Sequence, residues 1–439
     1  MDRVALVVLD TLRKDLFDEH FDWLPGRRFE RAFSTANWTA PAHASMFTGT
    51  YPSESGVHAK AQSLSVDSPV LPESLSDAGY TSRALSANPN VSKQLGWDRG
   101  FDEFVGSFTL RNHSDKNVLD WDEFESEHGS DGIKTYLSAL SACVFSDYDT
   151  LASIGRGYEL KTKGKRNVKT VLDDGATAVR DRIRDSRSNP ADFLFVNLME
   201  AHTPYYPPPE YRSVEEKLYV TIEDSLGLTE PDSRAAQAYD DAVRYLSDVY
   251  EDIFTDLRAQ YDYVITLADH GELLGEHGVW NHTYGLFPEL THVPLVVSGD
   301  GLTGTERATV SLLDIHRTIL DIAGVSVPSR GQDLLDDPQS GQYLVEYHGL
   351  IPVALRRLEN SDLSMDQVTY YDAYRSGLVA EDYYGYELGD DFVEVGSIVN
   401  EPRVEIDAMR DSLTEADGTD SEVDVSDATV DRLEELGYL

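Results

Sequence analysis

A single cysteine, Cys143, stands in the 439-residue chain. No internal disulfide can form from it, and a cage of thiolates around a metal is excluded. The lone thiol reads as a small buried hydrophobe. Basic residues are scarce as well: 37 Lys and Arg face 79 Asp and Glu, a formal net charge of −42. A field of that sign repels phosphate backbones and anionic lipid heads, so no nucleic-acid or membrane-surface partner is expected. Long apolar runs are missing, and nothing approaches the ~18 residues that a spanning helix needs. The opening run from Val4 to Leu9 is ended by Asp10 and Arg13. It is too short for the apolar part of a secretory signal, and a cytoplasmic protein is expected.

What is present supports a folded chain. Hydrophobic residues make up 41% and aromatics 10%, enough to bury a large core. The acid is spread along the whole length rather than gathered in one tail, as suits a solvated shell at very high salt. Val4 to Leu9, Phe193 to Leu198, Val264 to Ala268 and Val293 to Val297 are continuous apolar runs, the signature of strands buried on both faces. Between them, Ala238, Ala242, Tyr245, Val249, Ile253 and Leu257 recur with helical period over 235–257, and Leu312 to Ala323 is a second helix closed by Gly324. This alternation predicts an α/β fold with a mostly parallel central sheet flanked by helices and the site at the carboxyl ends of the strands. A catalytic domain is expected over 1–335, with a polar insertion at 107–165. A small C-terminal α+β subdomain, antiparallel in its strands, follows over 336–410, and an acidic linker with a terminal helix over 411–439.

Four places carry chemistry. Asp10 ends the first strand and suits either a metal ligand or a helix N-cap. In Asn37-Trp38-Thr39-Ala40-Pro41-Ala42-His43, Thr39 marks a helix start that Gly49 later ends; it is either a cap or a nucleophile at an anion-binding helix N-terminus. A threonine hydroxyl needs a metal or base to become nucleophilic. Asp269-His270-Gly271-Glu272 follows the third run, with His277 and His282 close behind; one oxygen and one nitrogen ligand side by side suit Zn²⁺ or Mn²⁺ better than an all-oxygen Ca²⁺ cage. His202, in Glu200-Ala201-His202-Thr203-Pro204-Tyr205, is either a loop anchor or a proton donor to a leaving group.

In order and spacing these segments resemble the sulfatase family of the alkaline phosphatase superfamily. The resemblance is carried by Asp10-Thr11 with Arg13 and Asp15, by Thr39 to Pro52, by His202 to Tyr205, and by Asp269 to Glu272 with Gly275 to Trp280. Val293-Pro294-Leu295, Ser311 to Ile315 and Leu436-Gly437-Tyr438-Leu439 add to it. It implies an alkaline phosphatase-like fold, a divalent cation (Zn, Mn, Ca or Mg) and a covalent ester intermediate. Asp10, Asp269 and His270 would hold the cation with Thr39 beside it. Thr39, His43, His202 and His282 would be the catalytic residues. Too few further Asp or His ligands are at hand for a second cation, so one site is expected.

The departures from the family's pattern direct the chemistry. Thr39 stands where sulfatases carry the Cys or Ser that becomes formylglycine, and threonine cannot give that aldehyde. His43 replaces an Arg, Thr11 a second Asp, and Asn281-His282 a segment bearing Lys. Asn88 and Asn90 stand about where the family has a Gly-Lys-x-His segment, as hydrogen-bond donors or turn formers. The expectation is a hydrolase of small anionic esters, phosphoesters favoured over sulfate esters. The alternatives are a phosphotransferase to a sugar or lipid headgroup, and a degenerate anion-binding protein. With so acidic a chain, attraction for an anionic ester would come from the cation together with His43, His202 and His282. Long-range repulsion is screened at ~1 M salt, where the Debye length is about 3 Å.

Overall fold

The computed structural model describes residues 1–106 and 174–416. Cys143, the expected insertion at 107–165, the linker from 417 onward and the expected terminal helix lie outside these residues. Eight strands form the central sheet: β1 (Val4–Leu9), β2 (Arg27–Phe33), β3 (Ser82–Ser86), β4 (Glu103–Val105), β5 (Phe193–Leu198), β6 (Tyr263–Leu267), β9 (His292–Ser298) and β10 (Gly304–Ser311), in the order β10-β2-β9-β6-β1-β5-β3-β4. A hairpin of β7 (Leu273–Leu274) and β8 (Trp280–Asn281) lies between β6 and β9 in the chain. The central sheet is mostly parallel, as its apolar runs predict; β9 runs against both β6 and β2. All six residues of β1 and of β5 are buried, because helices cover both faces of the sheet centre.

A second, four-stranded antiparallel sheet contains β11 (Tyr343–Tyr347), β12 (Arg375–Ala380), β13 (Tyr383–Leu388) and β14 (Asp391–Gly396). It is tied to the segment that leads into Thr39: Ala36 bridges Glu346, and the Glu346 amide donates to the Thr35 carbonyl at 2.8 Å. Among the described residues, no helix is long and apolar enough to cross a membrane.

The helix Thr39–Thr48 is buried along its entire length. Its three alanines let it sit close to its neighbours, and Gly49 ends it in the left-handed region at φ 67°. A Cβ on Gly49 would lie 2.4 Å from His316 Nδ1 and 2.5 Å from Ser329 Oγ, so that corner admits only glycine. On the other side, Phe195 from β5 meets Phe47 and His43 edge-on, at centroid distances of 5.2 and 5.8 Å. Trp97 closes the same cage at 5.7 and 5.9 Å. Phe195→Ala should therefore cost ~4 kcal/mol of stability, the usual scale for emptying a buried phenylalanine site. Denaturant unfolding at fixed high salt checks this, and turnover should fall with it as the helix loosens.

Candidate active site

Four parallel strands deliver side chains to one point beyond their carboxyl ends. Asp10 follows β1, Asn88 follows β3, Asn197 sits near the end of β5, and Asp269 with His270 follow β6. Thr39, the first residue of its helix, arrives from the side. Each of these six residues is fully buried. The cap readings are not adopted. Arg13, not Asp10, precedes the helix Lys14–His20, and Trp38 occupies the cap position before Thr39.

The cluster is built around two carboxylates. Asp10 Oδ2 accepts from Asn88 Nδ2 at 2.6 Å and from Asn197 Nδ2 at 3.4 Å. Asp269 Oδ1 accepts from the His270 amide at 3.0 Å and the Thr11 amide at 3.4 Å. Asp10 Oδ1 and Asp269 Oδ2 are buried without any hydrogen-bond partner. His270 donates from Nδ1 to the Gly271 carbonyl at 2.9 Å, which leaves Nε2 as an acceptor. That nitrogen lies 3.5 Å from Asp269 Oδ2, 4.0 Å from Asp10 Oδ1 and 3.3 Å from Thr39 Oγ1. Burial, with the nearby Asp269 charge, raises the Asp10 carboxyl to about 8, and burial raises Asp269 to about 7. Two orphaned carboxylate oxygens held against each other beside an imidazole lone pair fit one divalent cation. Asp10, Asp269 and His270 are the one such group among the described residues.

The remaining predicted residues fall into three sets. His43 donates from Nδ1 to the Thr39 carbonyl at 2.9 Å and accepts from Asn197 Nδ2 at 3.0 Å, and its Nδ1 lies 3.5 Å from Asp269 Oδ2 at the border of the cluster. His202 and His282 stand together, ring centroids 5.2 Å apart, with His282 4.5 Å from His270. His202 Nδ1 donates to the Thr203 carbonyl at 2.6 Å, and His282 Nδ1 lies 3.1 Å from Glu272 Oε1. His277 and His292 belong elsewhere. His277 is paired with Glu289 and stacked on Phe287, and His292 donates to the Glu30 carbonyl at 2.7 Å. Attraction for an anionic ester is expected from the cation with His43, His202 and His282 around it. Burial pulls each of them down to about 3, so all three are neutral near pH 7.

Thr11, at φ 56°, donates its hydroxyl back to the Asp10 carbonyl at 2.7 Å. Its own carbonyl accepts from Tyr239 at 2.7 Å. Arg13 reaches the Glu272 carbonyl at 3.0 Å and Glu276 at 2.7 Å, fastening the turn after β1 to the loop after β6. Sequence reasoning passed over Asn197 and the partnership of Glu272 with Tyr205, whose hydroxyl donates to Glu272 Oε2 at 3.0 Å. A signal for Asn197 existed: it is the one polar residue in the run Phe193–Leu198. Burial raises the Glu272 carboxyl to about 7.

A sulfatase family model matches residues 20–325, more than two thirds of the chain. The chain belongs to the sulfatase family. Asp10 lies ahead of the matched stretch, and every other member of the cluster lies inside it. Relatives of the family are similar over short segments. Arylsulfatase K of Canis lupus familiaris is 36% identical over 95 residues, 21% of this chain and 17% of that protein. Choline-sulfatase of Rhizobium meliloti is 35% identical over 99 residues, 21% of this chain and 19% of that protein. The matched segments thus span less than a fifth of these relatives. Whole-chain similarity of fold is seen in a phosphonate monoester hydrolase of Silicibacter pomeroyi, with TM-score 0.61, 18% identity, and 94% of each chain covered. A 2-O GAG sulfatase gives TM-score 0.59 and 13% identity, covering 94% of this chain and 90% of that one. The sulfatase-type α/β architecture predicted from the apolar runs and motifs is therefore the fold of this chain.

Proposed function

We propose that this protein is a metal-dependent hydrolase of small anionic esters that works through Thr39, with phosphorus esters preferred over sulfate esters. The observation that carries the reading is the position of Thr39 Oγ1, 3.3 Å from His270 Nε2, the nitrogen that lies 3.5 and 4.0 Å from the two orphaned carboxylate oxygens. Asp10, Asp269 and His270 would hold the cation. A bound divalent cation supplies Lewis-acid polarisation at the transferred group and favours the deprotonated form of an adjacent hydroxyl.

The chain's own residues account for the rest. The Thr39 hydroxyl releases its proton to solvent and its oxygen forms a bond to phosphorus as the bond to the leaving oxygen breaks. Water then attacks phosphorus, giving its proton to His282 Nε2 as His282 Nδ1–H returns to Glu272, and the bond from phosphorus to Thr39 breaks, the oxygen regaining a proton from solvent. His43 holds the Thr39 carbonyl, and so the helix start, in place. Glu272 and His282 form a proton relay. Protonated Glu272 donates to His282 Nδ1 while His282 Nε2–H passes its proton to the leaving oxygen. Tyr205 steadies the resulting Glu272 carboxylate. Such a dyad is neutral before transfer, which suits a site where burial disfavours imidazolium. Threonine has no route to the formylglycine hydrate, and this is the ground for the preference for phosphorus.

The test is a panel of p-nitrophenyl sulfate, phosphate, phosphodiester and phosphonate esters, run with Zn²⁺, Mn²⁺ or Mg²⁺ in molar KCl, with bound metal measured alongside. Fastest turnover is expected on phosphorus esters. Turnover on the sulfate alone would remove the preference. No turnover on any ester, with no metal bound, would remove the hydrolase reading.

A further inference from the structure

The turn after β3 carries a side chain whose orientation is fixed from one end and whose function is at the other. Asn88 is fully buried. Its Oδ1 accepts from the Asn90 amide at 2.7 Å, and its backbone amide is held by Ser86 Oγ at 3.3 Å. With the carbonyl end committed to a backbone donor, the amide cannot turn over without leaving that donor unpaired. Nδ2 is thereby aimed at two acceptors, Asp10 Oδ2 at 2.6 Å and Thr39 Oγ1 at 3.4 Å.

We infer that Asn88 is a catalytic residue of this site, a fixed neutral donor to the nucleophile oxygen that also holds Asp10 with its second oxygen turned inward. The inference rests on the reading of Thr39 as nucleophile. One Nδ2 hydrogen serves the Asp10 carboxylate, so Asp10 Oδ1 stays turned toward His270 and Asp269. The other hydrogen points to Thr39 Oγ1. As the threonine hydroxyl gives up its proton to solvent and charge gathers on the oxygen, this second bond strengthens, and it needs no rearrangement to do so. A neutral donor suits the position. An ammonium group there would pair with Asp10 and compete with a cation for the carboxylate; an amide orients the carboxylate without neutralising it. Asn197 supports the arrangement from β5, donating to both Asp10 and His43.

The experiment compares the parent chain with Asn88→Ala, Asn88→Asp and Thr39→Ala in molar KCl. It follows the p-nitrophenolate burst, steady-state kcat and KM on a p-nitrophenyl phosphodiester, metal per chain after gel filtration, and the thermal midpoint of the metal-free chain. Asn88→Ala should slow the burst and kcat by about 10²- to 10³-fold, the range found for removal of one oriented donor. KM should stay within about threefold while most of the metal is retained. Asn88→Asp keeps the shape but offers no donor, and should be at least as slow. A lowered thermal midpoint with an unchanged burst per metal-bound chain would make Asn88 structural and overturn the inference. Loss of the metal in both variants would likewise overturn it, since Asn88 would then act on the cation site alone. A fully active Thr39→Ala would instead remove the nucleophile reading, whatever Asn88 does.

Discussion

Thr39→Ala is expected to lower kcat by roughly five powers of ten while the fold and the bound metal persist, on the scale seen when a covalent nucleophile is deleted. The persistence follows from geometry. Thr39 Oγ1 makes two long contacts, 3.3 Å to His270 Nε2 and 3.4 Å to Asn88 Nδ2, and its hydroxyl also reaches the Asp269 carboxyl, which keeps the His270 and Thr11 amides as donors when the hydroxyl is removed. The helix start does not depend on it, since His43 grips the Thr39 carbonyl rather than the side chain. The truncation leaves a small void in a fully buried position, worth about 1–2 kcal/mol. Thr39→Ser retains the hydroxyl and should stay within about tenfold of the parent, with a freer χ1 as its handicap. Steady-state rates, metal content and unfolding midpoints on the same preparations decide the matter. Parent-like turnover by Thr39→Ala would end the assignment of the nucleophile.

The second large effect concerns Asp269→Asn, which should be more stable than the parent without the cation and lose that lead once the cation is added. Both cluster carboxyls are raised by burial, Asp10 to about 8 and Asp269 to about 7 from the model-peptide value of 3.8. A raised acid costs the folded chain stability as pH climbs from its unfolded value through its folded one. At pH 8 the metal-free parent therefore carries most of that cost. Asparagine removes a buried charge and keeps Oδ1 as the acceptor for the His270 and Thr11 amides. The metal-free variant should then melt several degrees above the metal-free parent. Adding the cation should raise the parent by the binding term, about 2.7 kcal/mol at a hundredfold excess over Kd, and leave the variant nearly unmoved. Turnover should fall by at least roughly 10³-fold, beyond the 10–100-fold typical of partners outside the ligand set. Melting curves with and without Zn²⁺ or Mn²⁺ at pH 8 show the order directly. A variant that still gains stability from the cation would place the metal elsewhere.

Much of this arrangement was legible in the sequence because the sheet centre is buried on both faces. A strand in that position must be apolar throughout, so β1 and β5 fall at the bounds their apolar runs gave and β6 and β9 within a residue. Polar residues at the ends of such strands then stand out, which is why Asp10, Asp269 and His270 were found. The strands away from the sheet centre were not legible. β2 reads Arg-Arg-Phe-Glu-Arg-Ala-Phe and is only part buried, so its charged side chains hide the pattern. β4 has three residues, too few to show alternation. Side-chain partnerships across long separations were invisible for a different reason. Asn197 and His43 lie 154 residues apart, and nothing local in either segment predicts the bond. The neutrality of the three histidines is not legible either, because it comes from the degree of burial and not from residue type.

The pairing of β1 has a consequence for how the chain is made. Its two neighbours in the sheet are β5 and β6, which begin at Phe193 and Tyr263. At about 5–20 residues per second, roughly 10–40 s pass between synthesis of β1 and synthesis of its first partner. For all that time Val-Ala-Leu-Val-Val-Leu, the most apolar strand at the heart of the sheet, has no native edge to join. The ribosome thus releases this fully buried strand long before either of its sheet partners exists, so that a holding chaperone or local collapse onto early core residues such as Phe17 and Phe47 would have to cover the interval.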